Sequence, residues 1–147
     1  MMIKYLSLGL AALAGAAMAV QGTLNAALGK VLGIWESTLI VHLIGTATVL
    51  AIILVGGIGF SNLGKLSQAP WYAYLGGVLN VIIIYAVVRV IPEVGVGNAT
   101  TAIIAAQIIT ALVIDNFGLL GMKKYVFHYT DILGIVLLAV GTRILLN

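Results

Sequence analysis

The chain contains no cysteine, only two prolines and only 11 charged residues among 147. Without a thiol it can form no disulfide, no iron–sulfur cluster and no thiolate intermediate. Charge is the scarcest commodity, 7% of residues against about a quarter in a soluble domain. The net charge of +3 rests on seven scattered basic residues, which fits membrane flanks and not a nucleic-acid footprint. Enzyme signatures are also missing: there is no metal-spaced His/Asp/Glu cluster, no phosphate loop and no nucleophile in register with a base. The chain therefore reads as a non-enzyme without cofactor or metal. Gly95-x-Gly97 is too short a pattern for a nucleotide site and suits close helix packing.

What is present is apolar: 63% of residues are hydrophobic and 18 more are glycine. A soluble fold of this length leaves roughly a third of its surface in water, too much to hide that composition, so the chain belongs in a membrane. The gaps between charges set the architecture. Charge-free windows of 25, 28, 23 and 21 residues separate Lys4 from Lys30, Glu36 from Lys65, Lys65 from Arg89 and Glu93 from Asp115. Each exceeds the roughly 20 apolar residues that a helix needs to cross a bilayer. A shorter window from Asp131 to Arg143, extended by Ile144, Leu145 and Leu146, is a marginal fifth span. The apolar runs do not alternate, which argues against a β-barrel.

The expected fold is thus an all-α membrane protein, a single five-helix transmembrane domain over residues 1–147 with spans at about 3–28, 37–60, 70–91, 94–117 and 131–146. A cleavable leader is the competing reading of the amino terminus, carried by Lys4, the stretch from Leu6 to Leu13 and Ala17-Met18-Ala19. Ala11, Gly15 and Ala19 place small residues on one face of the first span, where a neighbouring helix can come close. Gly29 to Glu36 is expected to be a short turn with Trp35 at headgroup level, and Ser61 to Pro70 a polar loop. Pro70 suits a first helical turn, Trp71, Tyr72 and Tyr74 form an interfacial belt, and Pro92 is expected to end the third span. Thr130 or Asp131 can cap the fifth.

No internal repeat is visible, and five spans cannot be cut into matching halves. A transporter built on inverted repeats would need its second repeat from another chain. With five spans, Lys4, Lys65, Lys123 and Lys124 fall on one side and Lys30, Arg89 and Arg143 on the other. Four against three is almost no bias for the positive-inside rule. The chain can then insert both ways and pair with an inverted copy of itself; the alternative is a weak preference with an oppositely oriented paralogue as partner.

A polar side chain facing hydrocarbon is costly unless paired. Gln21, Asn25, His42, Asn80, Tyr85, Gln107 and Thr110 fall within spans, Asn80 and Gln107 close to the centre of theirs. Singly each reads as hydrogen-bonding glue between helices; together they read as the lining of a mid-membrane cavity, where transporters hold their substrate. Gln21, Asn25, His42, Asn80 and Gln107 are the substrate-lining candidates. Glu36 and Asp115 are the coupling or gating candidates, with His42 an alternative proton carrier.

Gln21-x-x-x-Asn25-Ala26, Gly45, Pro70-Trp71 followed by Gly76-Gly77, and Ile114-Asp115-Asn116-Phe117-Gly118 through Gly121 resemble the YdcZ-like branch of the drug/metabolite transporter superfamily over nearly the whole chain. The resemblance implies a five-helix half-transporter of the bacterial cytoplasmic (inner) membrane, related to small multidrug resistance proteins and encoded with dual topology, as opposed pairs or as fused copies. It implies a secondary transporter that moves a small cationic or amphipathic metabolite by alternating access across an antiparallel dimer. Its partners would be the lipid bilayer, a second copy or paralogue, and the small-molecule substrate. A dual-topology passive pore and a non-transporting accessory protein are the alternatives. Asp115 matches an acidic position of the family, whereas Glu36 does not. Ala106 before Gln107, and Asn80 after the Gly-Gly pair, depart from the family pattern and bear on substrate preference.

Overall fold

The computed structural model describes residues 2–126 and 128–146, which form helices and turns with no strand among them. Five α-helices run in chain order: α1 (Met2–Leu32), α2 (Ile34–Val55), α3 (Leu75–Val94), α4 (Val96–Phe117) and α5 (Tyr129–Leu145). Four membrane-crossing candidates lie among the described residues: α1, α2, α4 and the stretch Trp71–Val94 that contains α3. The 17 residues of α5 reach about 25 Å at 1.5 Å each. The chain divides into two compact units, Met1–Glu93 and Val94–Asn147.

In the first unit, α1 runs past the expected turn at Gly29 to Glu36, because every residue through Leu32 accepts helical geometry. The reversal occurs at one residue. Gly33 has φ 89° and ψ 166°, a conformation open essentially to glycine alone. Its N–H donates to the Gly29 carbonyl at 3.0 Å, and its carbonyl accepts from the Ser37 N–H at 3.2 Å. One residue therefore closes α1 and opens α2 with its backbone groups paired. Ser37 is fully buried at this joint, and the Ser37 and Thr38 hydroxyls both donate to the Ile34 carbonyl, at 2.9 and 2.7 Å.

Close packing in this unit falls lower on α1 than the Ala11, Gly15, Ala19 face. A Cβ on Gly15 would touch nothing within 4 Å, whereas one on Gly22 would lie 3.1 Å from Val87 and 3.2 Å from Ile91, and one on Gly29 would collide with Val88. Gly22, Ala26 and Gly29 recur at helical spacing, so α3 lies against the bare backbone of α1. Ala26, Ile84, Val88 and Ile91 are the buried hydrophobic residues of the unit.

Between α2 and α3, the stretch expected as a loop contains a 3-10 helix at Ser61–Gln68, and a second 3-10 turn, Trp71–Tyr74, follows Pro70. The Tyr74 hydroxyl donates to the Leu66 carbonyl and ties the two together. Pro92 does not end α3, which continues to Val94. The proline stands in the last turn, where its missing N–H removes a single bond, the one to the Val88 carbonyl.

The second unit opens near a glycine of the same backbone conformation as Gly33. Gly95 has φ 84° and ψ 161°, and the Ala99 N–H donates to its carbonyl at 3.1 Å. The helices that follow Gly33 and Gly95 are both 22 residues long and both meet a glycine, Gly56 or Gly118, at their C-terminal ends. Gly33-Ile34-x-x-Ser37-Thr38 and Gly95-Val96-x-x-Ala99-Thr100, 62 positions apart, share their glycine and threonine. Gly118 is left-handed (φ 62°) and closes α4. The α5 N-terminus is capped by His128 and Asp131 together: the His128 N–H donates to Asp131 Oδ2 at 2.8 Å, and the Asp131 N–H returns a bond to the His128 carbonyl at 2.9 Å. Asp131 thus caps from the third helical position, and Thr130 takes no part. Phe127 lies outside the described residues.

Candidate functional site

Of the five lining candidates, His42 and Asn80 are brought into contact. His42 stands eight residues into α2, about 12 Å from its start and therefore near mid-depth of a core about 30 Å thick. Its Nδ1 lies 2.7 Å from the Thr38 carbonyl, and its Nε2 lies 3.0 Å from Asn80 Nδ2. A carbonyl only accepts and an amide nitrogen only donates. Nδ1 therefore carries a proton and Nε2 accepts from Asn80, which is the neutral Nδ1–H tautomer. The spacing Thr38-x-x-x-His42 permits this, since residues four apart in a helix share a face.

Asn80 bridges α2 to α3 and is itself an exposed residue. One N–H of its amide is directed to His42, and its Oδ1 is an acceptor. Asn25 is buried beside the Gly22 and Ala26 positions of α1, while Gln21, four residues earlier, is exposed. The two amides share a stripe of the helix, but only the one nearer the glycine-rich contact is covered. Gln107 is exposed on α4, in the second unit.

The carboxylates sit toward helix ends. Glu36 is exposed in the first turn of α2, its Oε2 3.0 Å from where a Cβ on Gly33 would stand, so the carboxylate folds back over the joint. Asp115 has an exposed side chain. Its main-chain carbonyl accepts from the Gly118 N–H at 3.3 Å and the Tyr125 N–H at 2.8 Å, which ties the loop after α4 to the helix end. Among the described residues, no three His, Cys, Asp or Glu side chains gather as a metal site.

Sequence reasoning missed two pairings. Trp35 and Tyr85 stack with ring centroids 4.9 Å apart and planes tilted by 35°, joining α2 to α3 a second time. Arg89 forms an ion pair with Glu93 one turn later on α3, an i,i+4 spacing that is visible in the sequence. Lys30 and Arg89 also line one small cleft of about 160 Å³ with Gly29, Ile34, Val88 and Pro92. In the second unit a cleft of about 140 Å³, lined by Ile109, Leu112, Val113, Asn116, Phe117 and Ile135, is almost wholly apolar.

The family model described as "Putative inner membrane exporter, YdcZ" matches residues 6–144. No curated protein and no solved structure matches the chain.

Proposed function

Because this chain belongs to the YdcZ family of inner membrane exporters, within the drug/metabolite transporter group, we propose that it is half of a secondary transporter, completed by an inverted second copy. It exports a small cationic or amphipathic metabolite by alternating access, with Gln21, Asn25, His42, Asn80 and Gln107 lining the shared path and α5 serving as the fifth span. The observation that carries this reading is the His42–Asn80 bond: a titratable ring at mid-depth, held by the amide of an exposed residue. Few residues are buried within the chain, so its apolar flanks need lipid or a partner, and the four-to-three split of basic residues permits both orientations.

The same bond supplies a way for proton and substrate to exclude each other. While His42 is neutral, Asn80 donates to Nε2 and presents its carbonyl oxygen to the path, an acceptor that suits an ammonium group. A proton on Nε2 turns that nitrogen into a donor, and the Asn80 amide must rotate to accept from it. Its NH2 then faces the path and disfavours a cation. Coupling of this kind needs no buried carboxylate, in keeping with Glu36 near the α1–α2 joint; Glu36 and Asp115 act as gates at the two ends of the path.

Proteoliposomes held under a pH gradient and offered a panel of small ammonium compounds test the proposal. Saturable, gradient-dependent uptake that is weakened in Gln107→Ala is expected. Currents at channel rates, unaffected by that substitution, overturn the carrier reading in favour of a passive pore.

A further inference from the structure

We propose that the cleft between Lys30 and Arg89 is a phosphodiester site that holds the headgroup of an anionic phospholipid. Three helix ends meet there: Lys30 from the last turn of α1, Ile34 from the start of α2, and Val88, Arg89 and Pro92 from the end of α3. The Val88 side chain packs against the bare Gly29 position, which brings the end of α3 up to that of α1 beside the cleft. At about 160 Å³ and roughly 30 Å³ per water, it holds about five water-sized groups, enough for a phosphate and its first glycerol carbons.

The chemistry of the lining selects the ligand. Two side chains are cationic donors and the other four are apolar or bare backbone, so an anion is held on one side and hydrocarbon is accepted on the other. Arg89 is shared with Glu93, which leaves Lys30, Arg89 and Glu93 with one net positive charge. Glu36 also folds over the neighbouring Gly33, so the acidic residues at this helix end limit its excess of positive charge, which suits a singly charged phosphodiester better than a doubly charged phosphomonoester. The guanidinium keeps donors free for a phosphate after pairing with one carboxylate.

The position favours a lipid over a dissolved phosphate. The helix ends place the cleft near the depth of the headgroups, since Lys30, Ile34 and Arg89 each lie within five residues of the end of their helix, and Trp35 beside Ile34 suits that depth. Val31, Leu32 and Val90, next in sequence to residues of these helix ends, are exposed and offer apolar surface to acyl chains. Basic clefts between transmembrane helices are established headgroup sites, each nearby cation contributing about 1 kcal/mol, or about fivefold in affinity.

Titration of the purified protein in detergent with phosphatidylglycerol, read by native mass spectrometry, tests the site. One phosphatidylglycerol per chain is expected to bind in preference to phosphatidylcholine. Lys30→Gln and Arg89→Gln should each weaken it about fivefold, Lys30→Arg should restore it, and Lys65→Gln, remote from the cleft, should leave it unchanged. Glu93→Gln should strengthen binding by releasing Arg89, a result that a merely structural ion pair would not give. Equal retention of the two lipids by the wild type, or undiminished phosphatidylglycerol binding by the Lys30→Gln/Arg89→Gln double variant, overturns the proposal. Displacement of the lipid by millimolar glycerol 3-phosphate overturns the lipid assignment in favour of a soluble phosphate ligand.

Discussion

His42 has both ring nitrogens occupied, one by the Thr38 carbonyl and one by Asn80, and each partner has a distinct task. The carbonyl fixes the ring's orientation; the amide can answer either charge state by turning over. Glutamine at position 42 keeps a side chain able to donate and accept, but removes the group that takes up a proton. His42→Gln should therefore retain downhill exchange of substrate while losing accumulation driven by a pH gradient, measured in the same proteoliposomes with and without the gradient. Equal accumulation by wild type and variant would place the proton elsewhere. Both His42 and Asn80 were legible in the sequence as polar residues within spans. Their contact was not, because it depends on how α2 and α3 are rotated about their axes, and no periodicity in either helix specifies that. Gln21 shows the same gap from the other side: its spacing puts it on the stripe of Asn25, yet the chain covers only the latter.

The helices themselves follow from charge spacing, since a long window without charge and with few prolines has no stable alternative in hydrocarbon. The joints do not. With 18 glycines in the chain, nothing singles out Gly33 as the one residue between α1 and α2, or Gly95 as the one that opens α4, and an eight-residue turn is the natural expectation for the first of them. Pro92 misled in the opposite direction, because a proline in the last turn sacrifices only one bond. Glycine substitutions separate the two kinds of site. Gly33→Ala, at φ 89°, should destabilise the protein by about 1–3 kcal/mol, whereas Gly45→Ala, with nothing within 4 Å of the added Cβ, should be neutral within about 0.5 kcal/mol. Gly29→Leu should be more damaging than Gly15→Leu, since only the former drives a side chain into Val88. Thermal unfolding in detergent reads all four.

At the scale of the whole chain, orientation is set by seven basic residues spread over two sides, and two of the four on the amino-terminal side are adjacent, Lys123 and Lys124. Replacing both with glutamine leaves two against three. In a Ser61→Cys background, labelling with a membrane-impermeant thiol reagent should reach the cysteine from both sides of the membrane in the parent, and the Lys123→Gln/Lys124→Gln variant should shift the ratio toward the reversed orientation. A parent labelled from one side only, in cells without a paralogue, would remove the antiparallel homodimer. The one-residue joint at Gly33 has a further consequence, for what the chain shows to the outside. A reversal made in a single position leaves no slack chain above the lipid, so a protease has no extended segment to bind and an antibody no loop to grip. Limited digestion of membranes should therefore cut within residues 56–70 and 118–128 and spare residues 30–37 from either side.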